Sequence, residues 1–136
     1  MRPRTIISLF SVAGLTTKAH HKVSTFSGGM KRRLNLAAGI VHSPQFLFLD
    51  EPTVGIDAHS RELILGKLHE IKRTGTTMLY TTHYMEEAEI LCDRVAIMDR
   101  GKLLVHGMPR ELLAAHPGCR NLGELFIELT GKELRD

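Results

Sequence analysis

Two short groups of residues in this sequence have the types and the spacing that phosphate chemistry requires. The first is Ser27-Gly28-Gly29, where glycine lets backbone N–H groups approach a ligand and a following helix would direct its positive end at a phosphate. The second is Asp50-Glu51, which can supply one carboxylate to Mg²⁺ and another to a water molecule. The two groups together predict part of a nucleotide site.

Each group has a plainer interpretation when it is considered alone. A Ser-Gly-Gly sequence also forms a glycine-rich turn beside a helix cap, and an Asp-Glu-Pro sequence also ends a strand in a turn. Here residues 46–49 are apolar at every position, as expected for a strand covered on both faces of a parallel sheet, and Asp50 follows directly. Because α/β folds place their chemistry at the carboxyl ends of parallel strands, we favour the nucleotide interpretation.

The printed sequence contains no loop of the form G-x-x-x-x-G-K-[ST], which would hold the phosphates of a nucleotide. Of the twelve glycines, only Gly118 and Gly123 have that spacing, and Glu124 stands where the lysine is required. The predicted site therefore contains acidic groups and a glycine loop but lacks the part that would hold a nucleotide bound to the same chain.

Helices and strands that could position these groups alternate along the sequence. Apolar spacing predicts helices over residues 5–15, 27–41, 63–71, 85–91, 109–115 and 122–129, with Gly14 and Gly75 ending the first and the third. The helix over residues 27–41 should begin at the N-cap Ser27 and be largely buried. Strands are predicted over residues 46–49, 76–81, 94–98 and 102–106. The first two strands, joined by a helix, predict a buried parallel pair with a right-handed crossover, and the last two predict a hairpin at the edge of the sheet.

Length and charge restrict the classes of function. At 136 residues and 43% hydrophobic, the chain suits one compact domain or a large piece of one. Eighteen basic residues against fifteen acidic ones give a net charge of +3, and only 5% of residues are aromatic, which leaves little surface for stacking bases. We therefore interpret the run Lys31-Arg32-Arg33 as a solvated helix face and expect no nucleic-acid partner.

The thiols and the apolar stretches bear on location. Cys92 and Cys119 are the two cysteines, and nothing else suggests a disulfide framework, so we expect free thiols in a reducing compartment. No apolar stretch approaches the roughly 20 residues that cross a bilayer. We expect a cytoplasmic protein whose association with a membrane depends on a partner.

In their order and spacing, four groups of residues resemble the carboxyl-terminal half of an ATP-binding cassette (ABC) ATPase. They are Thr25 to Leu34, Leu49 to Thr53, Gly55-Ile56-Asp57 and Thr81-Thr82-His83. Residues 27–34, 83–89 and 128–136 are most similar to the ATPase subunits of bacterial multidrug-type (ABC-2) exporters, which have separate membrane subunits. The resemblance runs from about residue 5 to the end, and the missing phosphate loop indicates a truncated cassette, from a split or shortened reading frame or from an engineered shortening.

The resemblance implies a fold and a division of the chain. The fold would be α/β, with a partial P-loop NTPase-type parallel sheet, flanking helices and a carboxyl-terminal β-hairpin, together with part of the ABC helical subdomain. Residues 1–45 would belong to that subdomain and carry the signature motif with its helix. Residues 46–136 would form the partial ATPase core and a carboxyl-terminal extension.

The same resemblance implies roles for residues that act in the chain's own ATP site. Asp50 would hold Mg²⁺ through its water shell, and Glu51 would be the general base that polarises the attacking water. His83 would be the switch histidine that contacts the γ-phosphate. The implied cofactors are ATP and Mg²⁺.

Other implied roles concern the site of an opposing subunit in a head-to-tail dimer. Ser27, Gly28 and Gly29 would form the signature loop that completes that site. Asp57 would belong to the loop that crosses to the second nucleotide-binding domain.

Three functional hypotheses follow from these patterns. The first is an ABC ATPase component that couples ATP binding and hydrolysis to export through a membrane permease subunit, placed at the inner face of the cell membrane and dependent on the missing half. The second is a catalytically silent module that donates its signature loop to a partner cassette. The third, a DNA-repair ATPase, is disfavoured because the sequence has no long heptad segment.

Overall fold

The structure is a computed structural model that describes residues 9–131 and divides into two compact units, Met1–Thr81 and Thr82–Asp136. The first unit contains helices α1 (Gly28–Ile40) and α2 (Ala58–Arg73) and strands β1 (Phe46–Asp50) and β2 (Thr77–Thr81). The second contains helices α3 (Met85–Leu91), α4 (Pro109–Ala115) and α5 (Leu122–Thr130) and strands β3 (Val95–Asp99) and β4 (Lys102–Gly107). The predicted order of elements is confirmed over the described residues.

A short helix and two 3₁₀ turns precede α1. Residues 9–12 are helical, and the chain turns at Gly14, whose φ of +64° suits glycine. The predicted helix over residues 5–15 is confirmed in its described part, whereas residues 5–8 lie outside the described residues, as do residues 132–136 of the tail. The 3₁₀ turns at Thr16–Lys18 and Val23–Thr25 then lead to α1.

A small apolar cluster lies where this first helical segment meets α1. Phe10 and Phe26 pack edge to face with ring centroids 6.4 Å apart, and Ala37 of α1 joins them. We expected α1 to be largely buried, and this expectation is wrong. Within α1 only Gly29 and Ala37 are buried, and the other apolar residues of the helix are half-buried or exposed.

The strands β1 and β2 form a parallel pair in which Asp50 lies opposite Thr81. The helix α2 joins them, begins at the N-cap residue Asp57 and ends before Gly75, whose φ is +92°. The parallel pair predicted from the sequence is therefore confirmed. With 16 residues α2 is the longest described helix, and no helix among residues 9–131 is long and apolar enough to span a bilayer.

One face of the parallel pair is exposed, so the prediction that these strands are buried on both faces is wrong. Leu47 and Leu49 are buried, each with 9% exposure, on one face of β1. Phe46 and Phe48 point to the other face and are 59% and 71% exposed, and Leu79 of β2 is 55% exposed. The reason is that no described element of the first unit covers this second face.

The second unit is built around an antiparallel hairpin. The turn between β3 and β4 has positive φ at Arg100 (+47°) and Gly101 (+73°), as a type I′ turn requires. We predicted this hairpin at the edge of the parallel sheet, but it forms a two-stranded sheet of its own. It does so because its apolar face is covered within the unit, where Ile97 packs with Leu122 and Leu125 of α5.

A polar cluster fastens the segment after α4 to α5. The Cys119 thiol donates to Glu128 Oε2 at 3.0 Å, and His116 Nδ1 lies 2.7 Å from Glu128 Oε1. The hydrogen bond to Glu128, together with burial, raises the pKa of Cys119 to about 11. The bonds from Cys119 and His116 lower the pKa of Glu128 in return. A thiol held in its protonated form in this way is a poor nucleophile.

The exposed apolar face leads to a prediction about self-association. Micromolar solutions of the 136-residue chain should contain oligomers by light scattering, because Phe46, Phe48 and Leu79 offer an apolar face and β1 pairs only with β2 among the described residues. Phe48→Ser should lower the average mass. Ile90→Ser removes an equally exposed apolar side chain (72%) from α3 and should leave the mass unchanged. A monodisperse wild-type monomer would show that the face does not associate.

Candidate functional site

The helix α1 begins at the glycine loop. Ser27 has extended backbone angles, and its side chain accepts a hydrogen bond from Met30 N at 3.2 Å, so it is the N-cap that the sequence predicts. Gly28 is exposed, and a Cβ built on it would meet no atom within 4 Å. The first N–H groups of a helix have no partner within the helix. The start of α1 therefore offers backbone donors, with positive dipole, to a ligand from outside.

Gly29 is required for a different reason, which lies within the chain. A Cβ at Gly29 would come within 2.7 Å of Ser60 Cβ and 2.9 Å of Asp57 Oδ2, distances that real Cβ atoms do not reach. The second glycine thus lets α1 approach the start of α2. The sequence analysis assigns both glycines to the close approach of a phosphate. Nothing in the sequence distinguishes Gly28, which is open, from Gly29, which packs against Ser60.

Asp57 is held at the start of α2 by hydrogen bonds. Its Oδ1 accepts from Ser60 N at 2.8 Å, and this backbone bond is the main cause that lowers the pKa of Asp57, followed by a bond from the Ser60 hydroxyl. The carboxylate is exposed and stays ionised at neutral pH. Its position is fixed by the same Ser60 that contacts Gly29.

Asp50 and Glu51 lie at the carboxyl end of β1, and Thr81 on β2 holds both. The Thr81 hydroxyl donates to Asp50 Oδ1 and accepts from Glu51 N at 3.2 Å, and Thr81 O accepts from Glu51 N at 3.1 Å. Asp50 is exposed and Glu51 is half-buried. The register of the parallel pair, which places Asp50 opposite Thr81, therefore fixes the backbone positions from which the two acidic side chains extend.

The backbone at Glu51 takes an unusual conformation. Its φ of +42° lies in the left-handed region, which costs a residue with a side chain about 1–2 kcal/mol. Arg32 donates to the carbonyls of Asp50, Glu51 and Pro52, which follow one another around this turn. We interpreted residues 31–33 as a solvated face, and this is wrong for Arg32 and Arg33, which are half-buried and donate to backbone carbonyls.

An open cleft of about 500 Å³ lies between the start of α1 and the turn after β1. Its lining residues are Gly28, Lys31, Arg32, Asn35, Glu51, Val54 and Ile56. Helix N–H groups and the Lys31 side chain favour an anion in this cleft, and the Glu51 carboxylate lies beside them. The first unit thus brings together Gly28, at the predicted loop, and Glu51, the predicted base.

His83 belongs to the second unit. It is half-buried, and its ring centroid lies 4.3 Å from that of Tyr84. The preceding Thr82 hydroxyl accepts from Tyr84 N and donates to the buried Glu87, both at 3.0 Å, so the backbone on either side of His83 is fixed. Its predicted role toward a γ-phosphate stays a prediction.

The sequence and the structure both match proteins of one family. Residues 2–54 match the family described as ABC transporter. The chain is 48% identical over 118 residues to the linearmycin resistance ATP-binding protein of Bacillus subtilis, covering 86% of this chain and 36% of that protein. It is 47% identical over 121 residues to the Nod factor export ATP-binding protein I of a Rhizobium species, covering 89% and 40%.

A solved structure of the ATP binding subunit of an ABC transporter superposes with a TM-score of 0.78 at 27% identity, over 93% of this chain and 53% of that subunit. The chain is thus similar to ABC transporter ATP-binding proteins in both sequence and fold. Its fold is accordingly α/β and of the P-loop NTPase type, as the resemblance implied. The chain spans about two fifths of the length of the curated relatives it matches.

The described residues fit Mg²⁺ only in part. Asp50 offers one carboxylate at a strand end, with one of its oxygens accepting from Thr81. Among residues 9–131 no group of three His, Cys, Asp or Glu side chains could hold a metal ion. Because Mg²⁺ is commonly held by one or two carboxylates with waters and substrate phosphates, an ion at Asp50 would need a nucleotide to complete its ligands.

Sequence reasoning missed three side chains that position the candidate site. They are Arg32, Ser60 and Thr81, each of which contacts backbone or a carboxylate from another element. Thr81 belongs to the group Thr81-Thr82-His83 and lies at the end of a predicted apolar strand. That position was the one feature of the sequence that indicated a role for it. Nothing in the spacing of Arg32 or Ser60 distinguishes them from solvated helix residues.

Because Gly28 and Gly29 have different surroundings, replacing each with alanine should change the free energy of unfolding by different amounts. Gly29→Ala should lower the free energy of unfolding by about 1–3 kcal/mol, as overpacking does, because the new methyl group would strike Ser60. Gly28→Ala should be neutral or slightly stabilising, because the position is open and alanine favours a helix. Urea denaturation followed by circular dichroism measures both. Equal effects of the two substitutions would contradict the packing argument.

Proposed function

We propose that the chain is the catalytic carboxyl-terminal part of an ABC ATPase that couples ATP binding and hydrolysis to export. The supporting observation is that Glu51 lies in one cleft with Gly28, at the start of α1, beside Asp50 on the end of β1. A carboxylate in this place can take a proton from water, and exposed helix N–H groups can face a phosphate. The names of the relatives, a resistance ATP-binding protein and an export ATP-binding protein, agree with export.

In this proposal Asp50 and Glu51 have separate duties. Asp50 holds Mg²⁺, and the ion, when bound, neutralises charge on the transferred phosphate. Glu51 orients the attacking water and accepts its proton as general base. Thr81 supports these separate roles. Its hydroxyl donates to the Asp50 carboxylate, whereas it contacts Glu51 at the backbone N–H, and the Glu51 carboxylate acts on water. His83 hydrogen-bonds the γ-phosphate.

The remaining predicted residues act on a partner in this proposal. Ser27, Gly28 and Gly29 face the phosphates held by a second nucleotide-binding domain, and Asp57 lies in the segment that crosses to it. The open Cβ position of Gly28 supports such an approach. A membrane permease subunit completes the assembly at the inner face of the membrane.

A second candidate is a catalytically silent module that lends its glycine loop to a complete cassette. What favours it is the open Cβ position of Gly28, which leaves the start of α1 accessible to a phosphate from another chain. In that case the start of α1 would matter for activity, and Glu51 would not.

A chimera separates the two candidates. We would replace the matching 118 residues of the linearmycin resistance ATP-binding protein with this chain and measure ATP hydrolysis. Glu51→Gln should lower kcat by about 100-fold or more and leave ATP affinity within a few-fold, because a base acts mainly in the transition state. Glu62→Gln removes an exposed carboxylate of α2 and serves as the matched control.

Ser27→Arg in the same chimera tests the loop. It should abolish hydrolysis, because a bulky side chain would stand where the partner's phosphate must approach. If Ser27→Arg abolishes hydrolysis while Glu51→Gln leaves it unchanged, the silent module is the better account. A folded, active chimera that tolerates both substitutions would refute both candidates.

A further inference from the structure

One arginine on α1 holds the turn that contains Glu51. Arg32 Nε donates to Pro52 O at 2.8 Å, and Arg32 Nη2 donates to Glu51 O at 2.6 Å and to Asp50 O at 3.2 Å. A guanidinium group is planar and always charged, and its donors form a rigid fork. Three consecutive carbonyls must therefore converge on one plane for all of these bonds to form.

The hydrogen bonds from Arg32 to the three carbonyls stabilise the left-handed backbone conformation at Glu51, and that conformation in turn directs the carbonyls toward Arg32. At φ +42° the chain reverses sharply at Glu51, and such a conformation persists only where the surroundings impose it. Arg32 imposes it from one side. The residues that follow, Pro52 and Thr53, are buried, Thr53 with 0% exposure, so packing confines the turn as well.

The position of Arg32 connects the turn to the glycine loop. Arg32 lies on α1, five positions after the N-cap Ser27, so the loop and the arginine move together with one helix. Gly29 on the same helix packs against Ser60 and Asp57. A displacement of α1 would therefore act on the backbone of residues 50–52 through three hydrogen bonds, one of them to Glu51 O.

We propose that Arg32 is a positioning residue that fixes the direction of the Glu51 carboxylate and makes it depend on the placement of α1. This rests on the proposed function of Glu51 as general base. Arg32 does not itself meet the nucleotide in this proposal. It acts through the backbone of residues 50–52, so its loss should affect the chemical step more than ATP binding.

The first test uses the chimera described above. Arg32→Ala should lower kcat by about 10-fold or more while KM for ATP stays within about 3-fold. Arg32→Lys should recover part of the loss, because an ammonium group donates to carbonyls but cannot match the planar fork. Arg73→Ala, which removes an exposed arginine at the end of α2, is the matched control and should change neither parameter. A fall in ATP affinity with kcat unchanged would overturn the proposal.

The second test is independent of catalysis and uses the 136-residue chain. In Arg32→Ala, amide hydrogen exchange over residues 51–55 should become about 10-fold faster, with exchange in the rest of the first unit unchanged. Arg73→Ala should leave residues 51–55 at the wild-type rate. Unchanged exchange over this segment in Arg32→Ala would overturn the proposal, whatever the chimera does.

The two tests separate the possible failures. If the wild-type chimera folds but does not hydrolyse ATP, the proposed function fails, and the exchange measurement alone decides whether Arg32 holds the turn. If hydrolysis depends on Glu51 but not on Arg32, the function stands and the positioning role is refuted.

Discussion

The site depends on how closely the first two turns of α1 lie against residues 50–60. Only glycine fits at position 29, because any side chain would strike Ser60, and this closeness brings Arg32 within reach of three carbonyls. A larger residue at position 29 would push α1 away from both the capped start of α2 and the turn at Glu51. One small residue thereby sets the geometry of two loops.

The parallel pair provides the second fixed point. The register places Asp50 opposite Thr81, so a single hydroxyl reaches the side chain of one acidic residue and the backbone of the next. Thr81 thus holds the turn by accepting from the backbone N–H of Glu51, and Arg32 holds the same turn by donating to the carbonyls of residues 50–52. Adjacent carboxylates can differ in direction because the backbone between them is fixed from both sides.

Much of the fold could be predicted from the sequence because local signals were strong. Ser27 marks the start of a helix, Gly14 and Gly75 mark ends, and the apolar run after residue 45 marks a strand. Such features depend on backbone preferences and on periodicity, which neighbouring residues reveal. The start of α2 was missed, because apolar spacing predicts this helix only from residue 63, whereas it begins at Ala58 after the N-cap Asp57.

What the sequence could not predict depended on packing between elements. An apolar strand carries no sign of which face its neighbours leave uncovered, as the exposure of Phe48 (71%) shows. A basic run on a helix carries no sign that Arg32 will meet carbonyls eighteen to twenty positions away. The division of the chain at residue 45 and the roles of Asp50, Glu51 and His83 stay predictions.

The central proposal is that these 136 residues carry the carboxylate side of an ATP site, without the loop that would hold the phosphates. Calorimetric titration of Mg-ATP tests it most directly, with the 136-residue chain in one cell and the chimera in another. The account predicts no saturable binding by the chain tighter than about 1 mM, and markedly tighter binding by the chimera. Micromolar binding by the chain alone would contradict it.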